Sequence, residues 1–282
     1  MSIERSTRGT LPIITVTTQS GASITFSTHG AHLLSWKPKN EHEVFYLSEK
    51  AIYSKTKAIR GGVPICWPYF GGVHSPQHGY ARISEWKEEI IEFINEMKSH
   101  VRMSFILHNE DLDLHLQAFV DITFDEFSLT EALSTVNLRQ DKECVITQAL
   151  HSYFSVGNIS TISISGLEDV PFQEKAKSEL IQPHSESPLK ISGQVDREYY
   201  PVSGELTIHD DVLKRDIKIE RIGSNSCIVW NVFEGATQLS DMNDDDYKEY
   251  ICVEAANILG DQVTIKPGEE HILSFTATVT KH

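Results

Sequence analysis

Two side chains capable of proton transfer interrupt apolar segments of this 282-residue chain. His151 lies in TQALHSYF, and Glu254 lies in YICVEAA. A glutamate is almost never fully buried alone, so Glu254 needs a partner, lines a cavity or points to the solvent face of its strand. A lone histidine in a strand is more often a hydrogen-bonded core or edge residue than a catalyst. Histidine and glutamate are nevertheless common general acids and bases, so both residues are candidates for chemistry.

A second unusual stretch, AIRGGVPICWPYFGGVHSPQHGYAR, spans residues 58–82 and is bracketed by Arg60 and Arg82. Its three prolines exclude a regular helix, because proline lacks the amide donor and clashes with the preceding turn. Proline also disfavours an interior strand, so we expect a rigid, irregular loop. The aromatic side chains expected to pack beneath this loop, rather than to stack on a ligand, are Trp67, Tyr69 and Phe70.

Patterns typical of metal sites are weak. The acidic run 241–246 fails the spacing of an EF-hand, because its sixth and twelfth positions hold Asp246 and Cys252 instead of glycine and an acidic ligand. His74 and His78 stand four residues apart, but the proline between them excludes the helix that would place both on one face. Zinc also needs further ligands at a recognisable spacing. We therefore expect a solvated acidic turn at 241–246, no metal and no other cofactor.

Composition and charge limit the classes of function. A net charge of −15 argues against nucleic-acid binding and against a peripheral role on an anionic membrane. No segment approaches the roughly 20 apolar residues of a membrane span, and the N-terminus lacks an apolar stretch of signal-peptide length. The expected compartment is therefore the cytoplasm. The cysteines form no CxxC pair, and those in apolar segments are expected to be buried, reduced thiols: Cys144, Cys227 and Cys252.

Short segments with alternating or β-branched apolar residues dominate the chain, for example SHVRMSFILHN and HILSFTATVT. Turn residues punctuate them about every ten residues, which predicts a large all-β sandwich or barrel. No linker or internal repeat is visible, so we expect one domain over residues 1–282. Two segments are ambiguous. Residues 85–99 fit a helix or two strands with a turn near Asn95, and residues 175–183 fit a short helix or a turn.

Five ordered blocks resemble the glucose-6-phosphate 1-epimerases, which are hexose-6-phosphate mutarotases of the galactose mutarotase-like superfamily. The blocks are IRGGVPICWPYFG with QHGYAR, ALHSYF, VDREY, IVWNVF with LSDMNDDDY, and ICVEAAN. They fall in the family's order over about residues 30 to 257. The resemblance implies an antiparallel β-supersandwich with the site in an open cleft on one face.

The resemblance also implies roles for individual residues. It makes His151 the acid and Glu254 the base of the reaction. The implied substrate-binding residues are Arg60, Gln77, Arg82 and Asp196, with His78 lining the pocket. The departures are modest: Tyr80 stands where the family commonly has Phe or Leu, Val232 stands where it often has Pro, and LSD replaces MAD. None of these departures touches an implied catalytic position.

The implied function is interconversion of the α and β anomers of D-hexose 6-phosphates, glucose 6-phosphate first among them, without a cofactor. The partner is then a phosphorylated small molecule, which two arginines could bind as forked donors, and the chain is expected to be a monomer. Two alternatives stay open. One is an aldose 1-epimerase acting on free sugars, against which Arg60 and Arg82 weigh. The other is a non-catalytic carbohydrate-binding β-sandwich, which would not need His151 and Glu254.

Overall fold

Nearly all regular structure in this protein is β-strand, as the alternating patterns predict. The computed structural model describes residues 1–175, 179–181 and 187–282. The strands, numbered in chain order, are β1 (Ser2–Arg8), β2 (Leu11–Thr17), β3 (Ser23–Ser27), β4 (His32–Lys37), β5 (Ile65–Cys66), β6 (Lys87–Phe93), β7 (Ser99–Asn109), β8 (Leu114–Phe124), β9 (Ser128–Asn137), β10 (Cys144–Ile146), β11 (Gln148–Leu150), β12 (Tyr153–Ser155), β13 (Ser163–Ser165), β14 (Phe172–Glu174), β15 (Glu179–Ile181), β16 (Leu189–Lys190), β17 (Val195–Tyr199), β18 (Leu206–Asp210), β19 (Arg215–Ile222), β20 (Ser226–Asn231), β21 (Tyr250–Asn257), β22 (Val263–Ile265) and β23 (Glu270–Lys281). Short 3₁₀ helices cover Ala81–Ile83, Phe233–Gln238, Asp246–Glu249 and Leu259–Asp261. Within the described residues, no helix is long and apolar enough to cross a membrane.

Two large sheets form the body of the molecule. Over the described residues, one sheet has nine strands in the order β16-β13-β18-β19-β23-β9-β8-β7-β6. The other has the order β15-β14-β17-β20-β21-β11-β5, and β12 also pairs with β21. Neighbouring strands in both sheets are antiparallel. One buried cluster joins Val229 and Val253 of the second sheet to Val120 and Phe275 of the first. The antiparallel sandwich predicted from the sequence is therefore confirmed.

The two ambiguous segments differ in outcome. Residues 85–99 form β6, a turn and β7, so the strand interpretation is correct and the helical one is wrong. The Asn95 side chain explains the turn, because its Oδ1 accepts the backbone N–H groups of Met97 and Lys98 at 2.9 Å each. In the second segment, residues 179–181 form strand β15 rather than a helix. The rest of that prediction, apart from a turn at Lys175, lies outside the described residues.

Strands β1 and β17 are two of those that the sequence patterns did not indicate. All seven residues of β1 are exposed. That strand therefore has no buried face to impose an apolar alternation on the sequence. The segment VDREY, interpreted as an interruption of the strand pattern, forms the continuous strand β17. On its core face the half-buried Arg197 stands between the buried Val195 and Tyr199, which obscures the apolar alternation.

The outer face of the second sheet, opposite the core, carries the residues of chemical interest. The strand register places Asp196 opposite Trp230, and Trp230 opposite Cys252. In a neighbouring row, Ile228 lies opposite Glu254. Alternate residues along a strand point to the same face, so all five side chains share this surface.

The loop 58–82 is fixed to one edge of this sheet through β5, which pairs with β11. A close approach requires glycine at position 79, where φ is +77° and a Cβ would lie 2.0 Å from the carbonyl oxygen of Trp67. Trp67 and Tyr69 are buried beneath the loop, as expected. Phe70 packs against the buried cluster that contains Cys66 and Ala149, and it also lines the cavity described below.

Candidate active site

A cavity of about 430 Å³ lies between the outer face of the second sheet and the loop 58–82. All site residues singled out from the sequence line it: Arg60, Gln77, His78, Arg82, His151, Asp196 and Glu254. The loop supplies Arg60, Gln77, His78 and Arg82, and separate segments of the sheet supply the other three. Strand pairing therefore brings together groups that are up to about two hundred positions apart in the chain.

His151 and Glu254 face each other across the floor of this cavity, with 3.3 Å between His151 Nε2 and Glu254 Oε1. His151 lies in the gap between β11 and β12, where its backbone N–H donates to the carbonyl of Pro64 at 3.0 Å. The imidazole stacks on Tyr153, with 4.9 Å between ring centroids and 14° between planes. Trp230 contacts it edge-on at 5.7 Å. The imidazole is thus held in one orientation by rings on two sides.

Burial decides the protonation of this pair. The side chain of His151 is 13% exposed and that of Glu254 is 1% exposed. Burial, with the charge of Asp196, raises the pKa of Glu254 well above its ordinary value. Burial, with His78 and the nearby guanidinium groups, lowers the pKa of His151 well below its ordinary value. Both shifts favour an uncharged pair with a single proton on the carboxyl group.

The same pair has unused hydrogen-bonding capacity. Neither carboxyl oxygen of Glu254 has an aligned hydrogen bond to a described residue, and neither does Nδ1 of His151. Buried polar groups are normally satisfied, because an unpaired one costs about 1–3 kcal/mol. The unpaired atoms therefore mark a place where the hydroxyl groups of a ligand can bind.

His78 presents a neutral donor to the same cavity. Its Nδ1 accepts the N–H of Gly71 at 3.3 Å, while its own backbone N–H donates to the carbonyl of Gly71 at 2.7 Å. Burial, with the positive charges of Arg82 and Lys175, lowers the pKa of His78 to about 3. A neutral imidazole that accepts at Nδ1 carries its proton on Nε2. The ring lies 6.3 Å from that of His151, so this N–H is available next to the reactive pair.

Arg60 is held by protein groups on all sides of its guanidinium. Its Nε and Nη2 donate to the two carboxylate oxygens of Asp241 at 3.2 and 3.3 Å, and its Nη1 donates to the hydroxyl of Tyr153 at 3.1 Å. Asp241 begins the acidic run, and Asp246 at its end accepts the hydroxyl of Tyr46 at 2.6 Å. The expectation of a simply solvated acidic turn is therefore wrong for these two aspartates.

Arg82 and Lys175 are cations of a different kind. Nη2 of Arg82 donates to the backbone carbonyl of Gln77 at 2.8 Å, and its Nε is buried without a partner. The ammonium of Lys175 lies 5.2 Å from the ring centroid of Phe70 on the cavity wall. Among the described residues, no carboxylate forms an ion pair with either side chain. Within the described part of the chain, neither cation is therefore held by a carboxylate in an ion pair, unlike Arg60.

Sequence reasoning missed Lys175 and Trp230, both of which line the cavity. Lys175 follows β14, and it reaches the cavity because β14 pairs with β17 next to Asp196. Its backbone N–H donates to the carbonyl of Asp196 at 3.0 Å. Nothing in the sequence around Lys175 indicates that pairing. Trp230 stands in an apolar strand, where a tryptophan more often signals the core than a ligand site.

The fold also assembles three potential metal ligands that the sequence spacing did not indicate. The donor atoms of His151, Cys252 and Glu254 all lie within 4.8 Å of one another. Two of them are two residues apart on β21, and the third comes from the neighbouring chain segment. All four cysteines are free and buried, which confirms the expected reduced thiols.

The antiparallel sandwich therefore holds a histidine–carboxylate pair in an open, polar cavity of the size of a small polar ligand. Residues 12–277 match the family model described as aldose 1-epimerase. The chain belongs to the aldose 1-epimerase family, as the resemblance of the sequence blocks predicted, and it is an epimerase or mutarotase that binds small carbohydrates.

Individual relatives agree with this assignment. A protein of Salmonella typhimurium named "Putative glucose-6-phosphate 1-epimerase" is 33% identical over 233 residues, which cover 81% of this chain and 78% of the relative. The crystal structure of a "putative mutarotase" from the same species superposes with a TM-score of 0.90 at 27% identity, covering 99% of this chain and 94% of that one. A galactose mutarotase-like protein of Clostridium acetobutylicum has a TM-score of 0.79 at 15% identity, covering 100% and 99%, which shows the shared fold alone.

Proposed function

We propose that this enzyme interconverts the α and β anomers of D-hexose 6-phosphates, with glucose 6-phosphate as the first candidate. The observation that carries the proposal is one cavity holding both the His151–Glu254 pair and two cations, Arg82 and Lys175, without carboxylate partners among the described residues. The names of the relatives support the same class of substrate.

The reaction needs two proton transfers on one hemiacetal. The base takes the proton of the O1 hydroxyl while the acid protonates the ring oxygen O5. The C1–O5 bond breaks, the open-chain aldehyde forms, C1 turns about the C1–C2 bond, and O5 attacks the other face of the carbonyl. We assign Glu254 as the base toward O1 and His151 as the acid toward O5. The roles reverse when the ring closes, so no proton is gained or lost overall.

Substrate binding prepares the pair for these roles. Burial favours the proton on Glu254. A sugar hydroxyl that donates to this carboxylate lowers its pKa. That effect moves the single shared proton across the 3.3 Å contact to the imidazole. The substrate thereby converts a neutral pair into an imidazolium and a carboxylate.

Three further groups are suited to orient the sugar. His78 offers the N–H of its neutral ring. Asp196 offers a carboxylate whose pKa is raised by burial, and its oxygens have no hydrogen bond to a described residue. Trp230, opposite Asp196 on the neighbouring strand, supplies an apolar surface of the cavity. Donors, acceptors and an aromatic surface in one cleft are typical of sites that bind polar small molecules.

The phosphate must be bound by local cations, because the chain as a whole has a net charge of −15. Arg60 lines the cavity, but Asp241 compensates its charge. We assign the dominant phosphate contacts to Arg82 and Lys175. We assign Arg60 the task of holding Tyr153 against the imidazole of His151.

The test compares kcat/KM for α-D-glucose 6-phosphate and α-D-glucose. Hydrogen bonds to charged groups contribute about 1.5–3 kcal/mol each, so two cations favour the phosphate by about 10²- to 10⁴-fold. Equal values for the two sugars would replace the proposal with a free-aldose epimerase. Binding of either sugar without anomerisation above the uncatalysed rate would leave only a carbohydrate-binding protein.

A further inference from the structure

The floor of the cavity contains a thiol as well as the acid–base pair. Cys252 and Glu254 are two residues apart on β21, so their side chains point to the same face of the sheet. Cys252 is fully buried just beneath the pair, and its Sγ lies within 4.8 Å of both the imidazole nitrogen and the carboxylate oxygen. The proposed anomerisation assigns no task to this thiol.

The three donors form a set suited to a thiophilic divalent metal. Zinc binds cysteine sulfur at about 2.3 Å, and histidine nitrogen and carboxylate oxygen at about 2.0–2.2 Å. A tetrahedron with such bonds places its donors roughly 3.3–3.8 Å apart. His151 Nε2 and Glu254 Oε1 are already 3.3 Å apart, and the third donor needs a shift of about an ångström or less to complete the set.

A second observation points to a ligand at this place. Glu254 is 1% exposed, and both of its carboxyl oxygens lack a hydrogen bond to any described residue. A cation bound there can replace the missing partners and stabilise the ionised form of this buried carboxyl group. Three protein ligands also leave one tetrahedral position, which water can occupy from the cavity.

We propose that Zn²⁺, or another thiophilic transition metal, binds His151 Nε2, Cys252 Sγ and one oxygen of Glu254 and so inhibits the enzyme. The thiol proton and the carboxyl proton pass to the solvent when the metal binds. The bound metal occupies the lone pair of the imidazole and the carboxylate together, which leaves no acid or base for the sugar. Magnesium and calcium prefer oxygen ligands, so neither ion should inhibit at comparable concentration.

The test begins with spectroscopy on the wild-type chain, which needs no sugar. Protein treated with a chelator and freed of it is titrated with Co²⁺. We expect one equivalent to produce the near-ultraviolet charge-transfer band of a cobalt thiolate. Zn²⁺ should displace the cobalt and abolish the band. Absence of the band in the wild type overturns the proposal, whatever sugar the enzyme uses.

Two variants identify the thiol. Cys252→Ser should lose the band, and Cys227→Ser should keep it, because Cys227 is an equally buried thiol on β20 that points to the core. The inhibition constant for Zn²⁺ should rise by more than about 100-fold in Cys252→Ser. Loss of a residue that only contacts a metal ligand usually costs about 10–100-fold in metal affinity, so a larger effect identifies Cys252 as a ligand. Cys252→Ala serves if the serine variant does not fold. A band or a Zn²⁺ inhibition constant unchanged by these substitutions overturns the proposal.

Discussion

One proton serves both His151 and Glu254, and the surrounding residues determine where it lies. Tyr153 and Trp230 fix the ring of the histidine, while β21 buries the carboxyl group beneath the cavity. Burial disfavours the charged form of each group, so the proton is held in a neutral pair. In the proposed cycle, a sugar hydroxyl that donates to Glu254 reverses that preference. The charged pair of that cycle then forms when a sugar binds.

The assigned roles predict large losses when either group is removed. His151→Ala and Glu254→Gln should each lower the enzymatic anomerisation rate by about 10²- to 10⁴-fold, the usual contribution of a positioned acid or base. Both substitutions remove a buried ionisable group, which is costly to bury, so both variants should stay folded. Polarimetry with circular dichroism as the folding control checks this. Near wild-type kcat in a folded variant would remove that residue from the mechanism.

The shifted pKa values predict the pH profile of kcat/KM. On the acid side, kcat/KM falls when His151 of the free enzyme becomes protonated. Because the pKa of His151 is lowered, the midpoint of this fall should lie well below the ordinary histidine value of 6.5. The alkaline limb reports ionisation at Glu254, whose pKa is raised, so activity should persist well above 4.5. The two limbs belong to the coupled pair. The profile is measured with free glucose, because phosphate itself titrates near pH 6. An acid limb centred at or above pH 6.5 contradicts the neutral pair.

The three cations predict different kinetic effects. Lys175→Met and Arg82→Met should each lower the preference for hexose 6-phosphate over free hexose by about ten- to a hundredfold, with less effect on the free sugar. Arg60→Met should lower kcat for both sugars alike, because it releases Tyr153 from the imidazole. Lys190→Met, an exposed residue outside the cavity, is the control and should change neither value. If only the Arg60 variant lost the preference for the phosphorylated sugar, the phosphate contact would be assigned to Arg60 instead.

Individual strands reveal how much local sequence can predict. Segments such as β7, β8 and β23 each have one buried face, and their alternation was sufficient to place them. The exposed strand β1 has no such face, and on the core face of β17 the charged Arg197 stands between the buried Val195 and Tyr199, so the sequence did not indicate these strands. His151 and Glu254 both stood out as residues capable of proton transfer among apolar neighbours. Cys252 has the same position relative to the sheet but looks like any core residue.

Strand β9 carries a second buried carboxyl group, far from the proposed chemistry. Glu131 lies in register with the core residues Ile122 and Phe275, and neither of its oxygens has a partner among the described residues. Burial raises its pKa well above 4.5. The protonated form of Glu131 therefore favours folding. This contribution to stability is fully present below the pKa of the group in the unfolded chain, and it is lost as the pH rises toward the higher pKa of the folded protein.

Replacing this group should therefore stabilise the protein, and more so at higher pH. Glu131→Met should raise the free energy of unfolding by about 1–3 kcal/mol at pH 8, because it removes an unpaired polar group from the core. The gain should shrink toward pH 5. Urea unfolding at both pH values measures it, with Glu220→Met on the exposed side of β19 as the control. A destabilised Glu131→Met variant at pH 8 would mean that the carboxyl group has a partner after all.

Sheet topology, not local sequence, builds the cavity. The loop 58–82 contributes four polar groups, and the strands β17, β20 and β21 contribute one or two side chains each. Only the pairing of these segments puts the groups within reach of one another. Family resemblance supplied the correspondence for seven residues without showing any contact. It could not show that Asp241 neutralises Arg60, because an ion pair between distant segments leaves no trace in one sequence. Lys175 was missed for the same reason.

The whole chain also predicts how the enzyme responds to chelators. The proposed acid–base cycle takes both of its proton-transfer groups from the protein and passes no step through a metal. EDTA followed by dialysis should therefore leave kcat/KM unchanged, or raise it if the preparation carries inhibitory zinc. Circular dichroism before and after dialysis controls for unfolding. Activity that is lost to EDTA and restored by Mg²⁺ or Zn²⁺ would contradict the cycle. It would also reverse the meaning of the His151–Cys252–Glu254 set, from a site of inhibition to a site of activation.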